Sequence, residues 1–401
     1  LTLVDGYRKS LESAMEQINS DSTKIDDKKL LLVAETALTG KGTEGALDLF
    51  SSIIVESMKS ISEKQPIPRA ENIAMFKSNA GNIHDSRIIQ GVAFRRRVLM
   101  DSLPNKLSDV KVAIISGDIK IRKMTRTAEI QITSADQLEA FVDAEQDRKN
   151  SISQSLVDSG ASLVLCGGEI DRDILHNLAD NNILAIGELD SSEVENSASA
   201  TGAKIVDSIA DIERKDLGFC GSVLWERNEA SDMVEDIIRI DGCKKPGLVT
   251  IEVGGAGEIA SEEIIRGLHD GLRAVSLAIE DQEILPGGGA IHSRIANAVR
   301  TSSESEPGRA RLAMEAFSRA METIPGALVE NSGNDVLDSI LELRTATRNQ
   351  AHFMGIDENG KISVIDRAWH PRTVITESLQ LACETTIGML RIDQVISSRG
   401  D

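Results

Sequence analysis

The sequence predicts a multi-domain protein of α and α/β type, with helical segments at both ends of the chain and an α/β block inserted between them. Three observations carry this. The chain has 401 residues, more than one ordinary domain holds. Apolar residues recur at i, i+3 and i+4 over 1–20 and 44–64, and after about 290 the chain again reads as mainly helical. Between about 92 and 245, short β-branched runs alternate with helical stretches.

Composition bounds what this architecture can do. Apolar residues make up 41% of the chain, enough for packed cores, but aromatics only 2%, so the cores must be built from Leu, Ile, Val, Ala and Met. A formal charge of −20 argues against a nucleic-acid partner and against an anionic membrane surface. No apolar run reaches membrane-span length. The four cysteines form no CxxC pair, which argues against a disulfide frame or a zinc site and suits a reducing, cytoplasmic compartment. The chain begins with Leu inside a helical pattern, so an N-terminal truncation is expected.

Read in order, helices are expected over 1–20 and 44–64, around a glycine-punctuated turn, "ALTGKGTEGA". "QPIPRA" (65–70) and "SNAGNIHDS" (78–86) read as loops. Strands are expected at 111–115, 128–132, 162–166, 183–189, 222–226, 236–240 and 248–253. A helix follows through 261–281 with its stripe at Ile264, Leu268, Leu272, Val275 and Ile279. After the glycines at 287–289 come a new helix and an amphipathic one over 310–324, with Leu312, Ala316, Ala320 and Ile324 as its face. A hairpin turns at Asn359-Gly360, and a last helix covers about 373–391.

Several segments together resemble one family. "VIDRAWHPRTVITESLQLACETTIGMLRIDQVI" looks like the C-terminal signature of group II chaperonins, the thermosome and its TCP-1 relatives. "ALTGKGTE" (37–44), residues 132–186, "ATGAKIV" (200–206), "AIEDQEILPGGGA" (278–290) and "IPGALVENSGNDVLDSILELR" (324–344) match in the expected order, so the resemblance spans essentially the whole chain. It implies a mainly helical equatorial domain in two parts (1–32 and 285–401). A small α/β intermediate domain would be crossed twice (33–91 and 246–284), and an α/β apical domain with a helical protrusion would be inserted at 92–245. The family's Gly-Asp-Gly-Thr-Thr phosphate loop and its metal-binding Asp have no counterpart in these residues. The resemblance therefore implies a subunit lacking the first part of its equatorial domain, hydrolysing ATP weakly or not at all on its own.

Site residues follow from the residues and the resemblance together. Gly287, Gly288 and Gly289 leave backbone open to a close approach. The alternative is a tight helix–helix connection; the resemblance implies the sugar and base side of ATP. Asp270 points away from the apolar stripe of its helix. Pattern alone makes it a solvated acid; the resemblance makes it the catalytic residue that orients or deprotonates the attacking water. About 11 residues of helix, roughly 17 Å, separate it from the glycines. Lys41 lies between two glycines. It is either an ordinary turn lysine or, by the resemblance, a sensor of the γ-phosphate. Asn331 and Asp335, with His370, fall where the family completes its adenosine pocket. The family usually carries Glu at the position of His370, and Arg where Val253 stands.

Residues 134–158 begin with a capping pattern at Ser134 and Gln137, and Leu138, Phe141 and Val142 are expected to anchor the helix. "DAEQDRKNS" (143–151) has almost no apolar content, as suits an unpacked protrusion. Client contact is expected elsewhere, with Ile174, Leu175 and Leu178 as candidates.

The resemblance implies a chaperonin subunit that uses ATP with Mg²⁺, encloses unfolded or partly folded polypeptides, and joins other chaperonin subunits in a double ring. The alternative is a chaperonin-like ring or scaffold that binds partners without turnover. A dinucleotide enzyme is excluded, because no GxGxxG follows the strands of the α/β block.

Overall fold

A computed structural model describes residues 2–62, 66–78, 81–99, 103–121, 135–209, 212–228, 235–255, 258–348 and 352–392. In chain order, α1 (Thr2–Asp21), β1 (Thr23–Lys24), α2 (Asp27–Leu38) and α3 (Leu47–Ser62) come first. Then follow β2 (Ile73–Lys77), β3 (Arg87–Ile89), β4 (Val92–Arg96), β5 (Lys106–Ile115), α4 (Ala135–Ser159), β6 (Leu163–Cys166) and α5 (Arg172–Asp180). Next are β7 (Leu184–Ile186), α6 (Ser191–Thr201), β8 (Ile205–Val206), β9 (Gly218–Asn228), β10 (Glu235–Asp241), β11 (Val249–Val253) and α7 (Glu258–Asp281). The chain continues with β12 (Glu283–Pro286), α8 (Ala290–Ser303), α9 (Arg309–Asn331), α10 (Val336–Thr347), β13 (Met354–Ile356), β14 (Ile362–Val364), β15 (Trp369–Pro371) and α11 (Arg372–Leu390). These elements form two compact units: residues 1–55 with 266–401, and residues 56–265.

The second unit is built on sheets. Its larger sheet runs β4-β10-β9-β5-β6-β7, with β8 also pairing β5. β5, β6, β7 and β8 are parallel to one another, while β4, β10 and β9 are antiparallel. Successive side chains of a strand point to opposite faces. Val110, Val112 and Ile114 of β5 accordingly enter one apolar core, and Ala113 and Ile115 enter the other. A separate three-stranded sheet, β2-β11-β3, joins a segment before the large sheet to one after it.

The first unit is mainly helical. Ala14 and Ile18 of α1, Ile291, Ile295 and Val299 of α8, Met314 and Phe317 of α9, and Ile375 and Leu379 of α11 share one core. Burying each Ile, Val, Leu, Met or Phe side chain among them stabilises by about 1.5–3 kcal/mol. A smaller core under the β13–β14 hairpin joins Val329, Ile340, Leu343 and Ile356. A three-stranded sheet, β1-β12-β15, brings β15 against β12 with His370 opposite Leu285.

Several expectations are corrected. α2 and strands β2, β3 and β4 have no counterpart in the sequence reading. α2 begins where the Asp26 carboxylate accepts from the Lys29 N–H at 2.8 Å, an N-cap that frees the next residues to wind. The face of α9 is not Leu312–Ala316–Ala320–Ile324, since Leu312 is 60% and Ile324 47% exposed. A strict i, i+4 walk advances about 40° per step and drifts off any one face. The buried line is Ala313, Met314, Phe317, Ser318 and Glu322. α9 also runs on through Pro325 to Asn331. Phe141 and Val142 do not anchor α4, since both are exposed. Ile174, Leu175 and Leu178 are fully packed core residues, unable to meet a client. The expected strand at 128–132 and the Ser134 cap lie outside the described residues.

Candidate functional site

Every predicted site residue lies in the helical unit. Asp270 sits on α7, whose buried face is Ile264, Leu268, Leu272, Val275 and Ala278; Ile279, expected on that face, is only half-buried. Asp270 is exposed, as its helical angle requires. Lys41 projects from the turn between α2 and α3, where Gly40 takes a positive φ of +77°, a conformation strained for other residues. The fold brings these two together: Lys41 Nζ donates to Asp270 Oδ2 at 2.6 Å across 229 residues of sequence. The side chains are 28% and 49% exposed, so water and a competing anion can reach the pair.

Gly287, Gly288 and Gly289 close a different corner. Their first explanation is packing. A Cβ on Gly287 would lie 2.9 Å from the Ala368 Cβ, one on Gly288 2.8 Å from the Ile356 carbonyl, and one on Gly289 2.7 Å from the Pro325 Cβ. Gly288 and Gly289 also have φ of +56° and +72°. Three segments therefore converge on a stretch that tolerates no side chain, and the Gly287 N–H donates to Ala368 O at 2.8 Å.

Beside them lies a histidine pair. His370 Nε2 is 3.1 Å from where a Gly287 Cβ would sit. His292, in the first turn of α8, is close enough to feel the charge of His370. Burial, and then His370, pushes His292 down to about 4; burial also lowers His370. An uncharged imidazole carries one N–H donor and one lone-pair acceptor. His292 Nδ1 is buried with no hydrogen-bond partner. A buried polar atom without a partner is unusual in a folded protein and marks this corner as a candidate for a polar ligand group.

The "ENSGND" turn docks on the hairpin, but not through the predicted residues. Asn331 is the exposed last residue of α9. The Asp335 carboxylate caps α10 by accepting the Asp338 N–H at 2.9 Å. Asn334 makes the tertiary contact, donating to Asn359 O at 3.0 Å. His292 and Asn334 were missed, although each lies within three residues of a segment the sequence singled out. Thr43 and Glu44, which shape the Lys41 turn, were also missed. Among the described residues no group of three or more His, Cys, Asp or Glu is placed to hold a metal ion. Among them, too, no helix is long and apolar enough to cross a membrane.

Known proteins resemble this chain along nearly its whole length. The family model of the TCP-1/cpn60 chaperonin family matches residues 1–399. Thermosome subunit beta of Archaeoglobus fulgidus is 32% identical over 407 residues, covering 99% of this chain and 74% of that protein. Thermosome subunit beta of Methanothermobacter thermautotrophicus is 34% identical over 397 residues, covering 98% and 73%. The open-state monomer of a group II chaperonin from Methanococcoides burtonii superposes with a TM-score of 0.66 at 25% identity, covering 98% of this chain and 92% of that one. The chain belongs to the TCP-1/cpn60 chaperonin family. Within it the chain is a chaperonin of the group II, thermosome kind, and an ATP-dependent folding function and ATP hydrolysis come with that membership. The chain spans about three quarters of the length of these two thermosome subunits, 74% of one and 73% of the other.

Proposed function

We propose that this chain is one subunit of a double ring that encloses unfolded or partly folded polypeptides in the cytoplasm, with Asp270 and Lys41 at its phosphoryl site. The observation that carries the reading is their 2.6 Å ion pair. A carboxylate and an ammonium, 229 residues apart in sequence, converge where both stay reachable from solvent. Asp270 orients a water and takes its proton; Lys41 neutralises an incoming phosphoryl oxygen. Gly287–Gly289, His370 and His292 hold the sugar and base side, with Asn331 and Asp335 at its rim. Bound ATP, with Mg²⁺ on its phosphates, supplies the bond whose hydrolysis drives the cycle.

The domain scheme follows the sheets. The strands of the large sheet fall within 92–245, the proposed apical domain. Those of the small sheet fall within 33–91 and 246–284, the proposed intermediate domain. β1, β12, β15 and the hairpin fall in or next to 1–32 and 285–401, the proposed equatorial domain. In α4 every described side chain from Asp136 to Arg148 is exposed, as suits a protruding lid element. Turnover moves the intermediate segments, tilts the apical domain and closes the lid.

The test is phosphate release by the assembled protein with ATP and Mg²⁺. Asp270→Ala should lower it by about 10²–10⁴-fold while nucleotide binding is kept. Release that is unchanged in Asp270→Ala would contradict the assignment. No release from wild type would favour the alternative, a ring or scaffold that binds partners without turnover.

A further inference from the structure

Lys41 is a long side chain on a glycine-rich turn, and its ion pair with Asp270 is open to water, so that pair alone fixes its position weakly. The turn around it does. The Gly40 N–H donates to Glu44 Oε1 at 2.8 Å, closing the turn across Lys41. The Glu44 N–H donates back to Lys41 O at 3.2 Å. Thr43 is fully buried, and its hydroxyl donates to Leu38 O at 2.9 Å, fastening the turn to the end of α2. The Thr43 methyl packs on Gly267 of α7, where an added Cβ would lie 3.2 Å from it, and the same Cβ would lie 3.6 Å from Lys41 Cδ. Gly267 is three residues before Asp270, one turn of the same helix. The anchor of the turn and the partner of its lysine therefore stand on adjacent positions of one helix face.

We infer that Glu44 and Thr43 are positioning residues, which clasp the 39–44 turn so that Lys41 rests on Asp270 until a phosphoryl group competes for the lysine. The inference rests on the reading of Lys41 and Asp270 given above. Neither Glu44 nor Thr43 touches the reacting atoms. Glu44 contributes an acceptor at a set reach. Glutamine keeps that reach and an acceptor oxygen; aspartate keeps the charge but falls short; alanine loses both.

The experiment uses the full chain without nucleotide, followed by two probes. One is amide exchange at Gly40. The other is acylation of Lys41 by an amine-reactive ester, read by mass spectrometry. Glu44→Ala and Glu44→Asp should each speed both by about three- to tenfold, the scale of one ordinary hydrogen bond lost at an exposed position. Glu44→Gln should stay within about twofold of wild type. Thr43→Val, which keeps the shape but not the hydroxyl, should speed Lys41 acylation. With ATP and Mg²⁺, the same Glu44→Ala and Glu44→Asp variants should lower kcat more than they raise KM, and Glu44→Gln should restore kcat. Wild-type exchange and acylation in Glu44→Asp, or a Glu44→Gln as impaired as Glu44→Ala, would overturn the inference. If Glu44→Ala fails to fold, Glu44→Asp against Glu44→Gln decides alone. Should Asp270→Ala keep full turnover, the site reading fails while the clasp readouts stand. Should Asp270→Ala abolish turnover and Glu44→Asp change nothing, only the clasp fails.

Discussion

Two carboxylates in the helical unit, Glu322 and Asp270, both meet cations, and the contrast between them separates structure from function. Glu322 is buried on α9 and held by two guanidinium groups, Arg300 of α8 at 2.7 Å and Arg344 of α10 at 2.6 Å. Burial pushes its carboxyl up, but Arg344 and Arg300 outweigh that and hold it below the usual carboxylate range. Three helices are tied by a charge that cannot leave. Asp270 is half exposed and has a single lysine, on a turn. A pair open to water contributes little to stability, typically under about 1 kcal/mol, and for that reason can be exchanged for another partner. Burial and the number of partners, more than the presence of an ion pair, mark which charge the fold keeps and which a ligand can take.

The sharpest way to break this contrast is at Glu322. Glu322→Ala leaves two arginines without their partner and should destabilise the helical unit by about 3–5 kcal/mol in denaturant unfolding. A loss under about 1 kcal/mol would put Glu322 in the same class as Asp270. Next is Gly289→Ala. The left-handed backbone costs about 1–2 kcal/mol, and the contact with Pro325 adds overpacking of about 1–3 kcal/mol. A variant as stable as wild type would show that the glycine corner is looser than its packing implies.

A smaller effect should appear with pH. His292 has its folded pKa depressed to about 4, so the unfolded chain binds the proton first. Its contribution to stability is complete above about 6.5 and is lost as pH falls toward 4. Between pH 6.5 and 5 this amounts to about 1.5 kcal/mol. His292→Asn should flatten that part of the stability profile; an unchanged slope would place the proton uptake elsewhere. The smallest stability effect is expected at Lys41. Lys41→Met should change unfolding by less than about 1 kcal/mol.

Much of the fold was legible. The alternation of β5 and the buried stripe of α7 follow from periods of 2 and 3.6. The exposed position of Asp270 followed from the same angle. The α9 face was misread because a chain of i, i+4 steps looks periodic while it precesses. Phe141 and Val142 were misread because local apolar content does not say whether a neighbour exists to cover it. The contacts among the candidate site residues were not legible in the sequence. Lys41 and Asp270 were each named, yet their pairing spans 229 residues and depends on Thr43 packing against Gly267, which no local pattern encodes. His292 was missed because its significance comes from a neighbour, His370, on another element.

The most direct test of the central claim sets stability and turnover side by side in one isosteric variant, Asp270→Asn. Unfolding within about 1 kcal/mol of wild type, together with phosphate release lowered by about 10²-fold or more, is the predicted result. A variant that loses several kcal/mol of stability yet releases phosphate at the wild-type rate would contradict it, because Asp270 would then be holding the fold together and not working on a ligand.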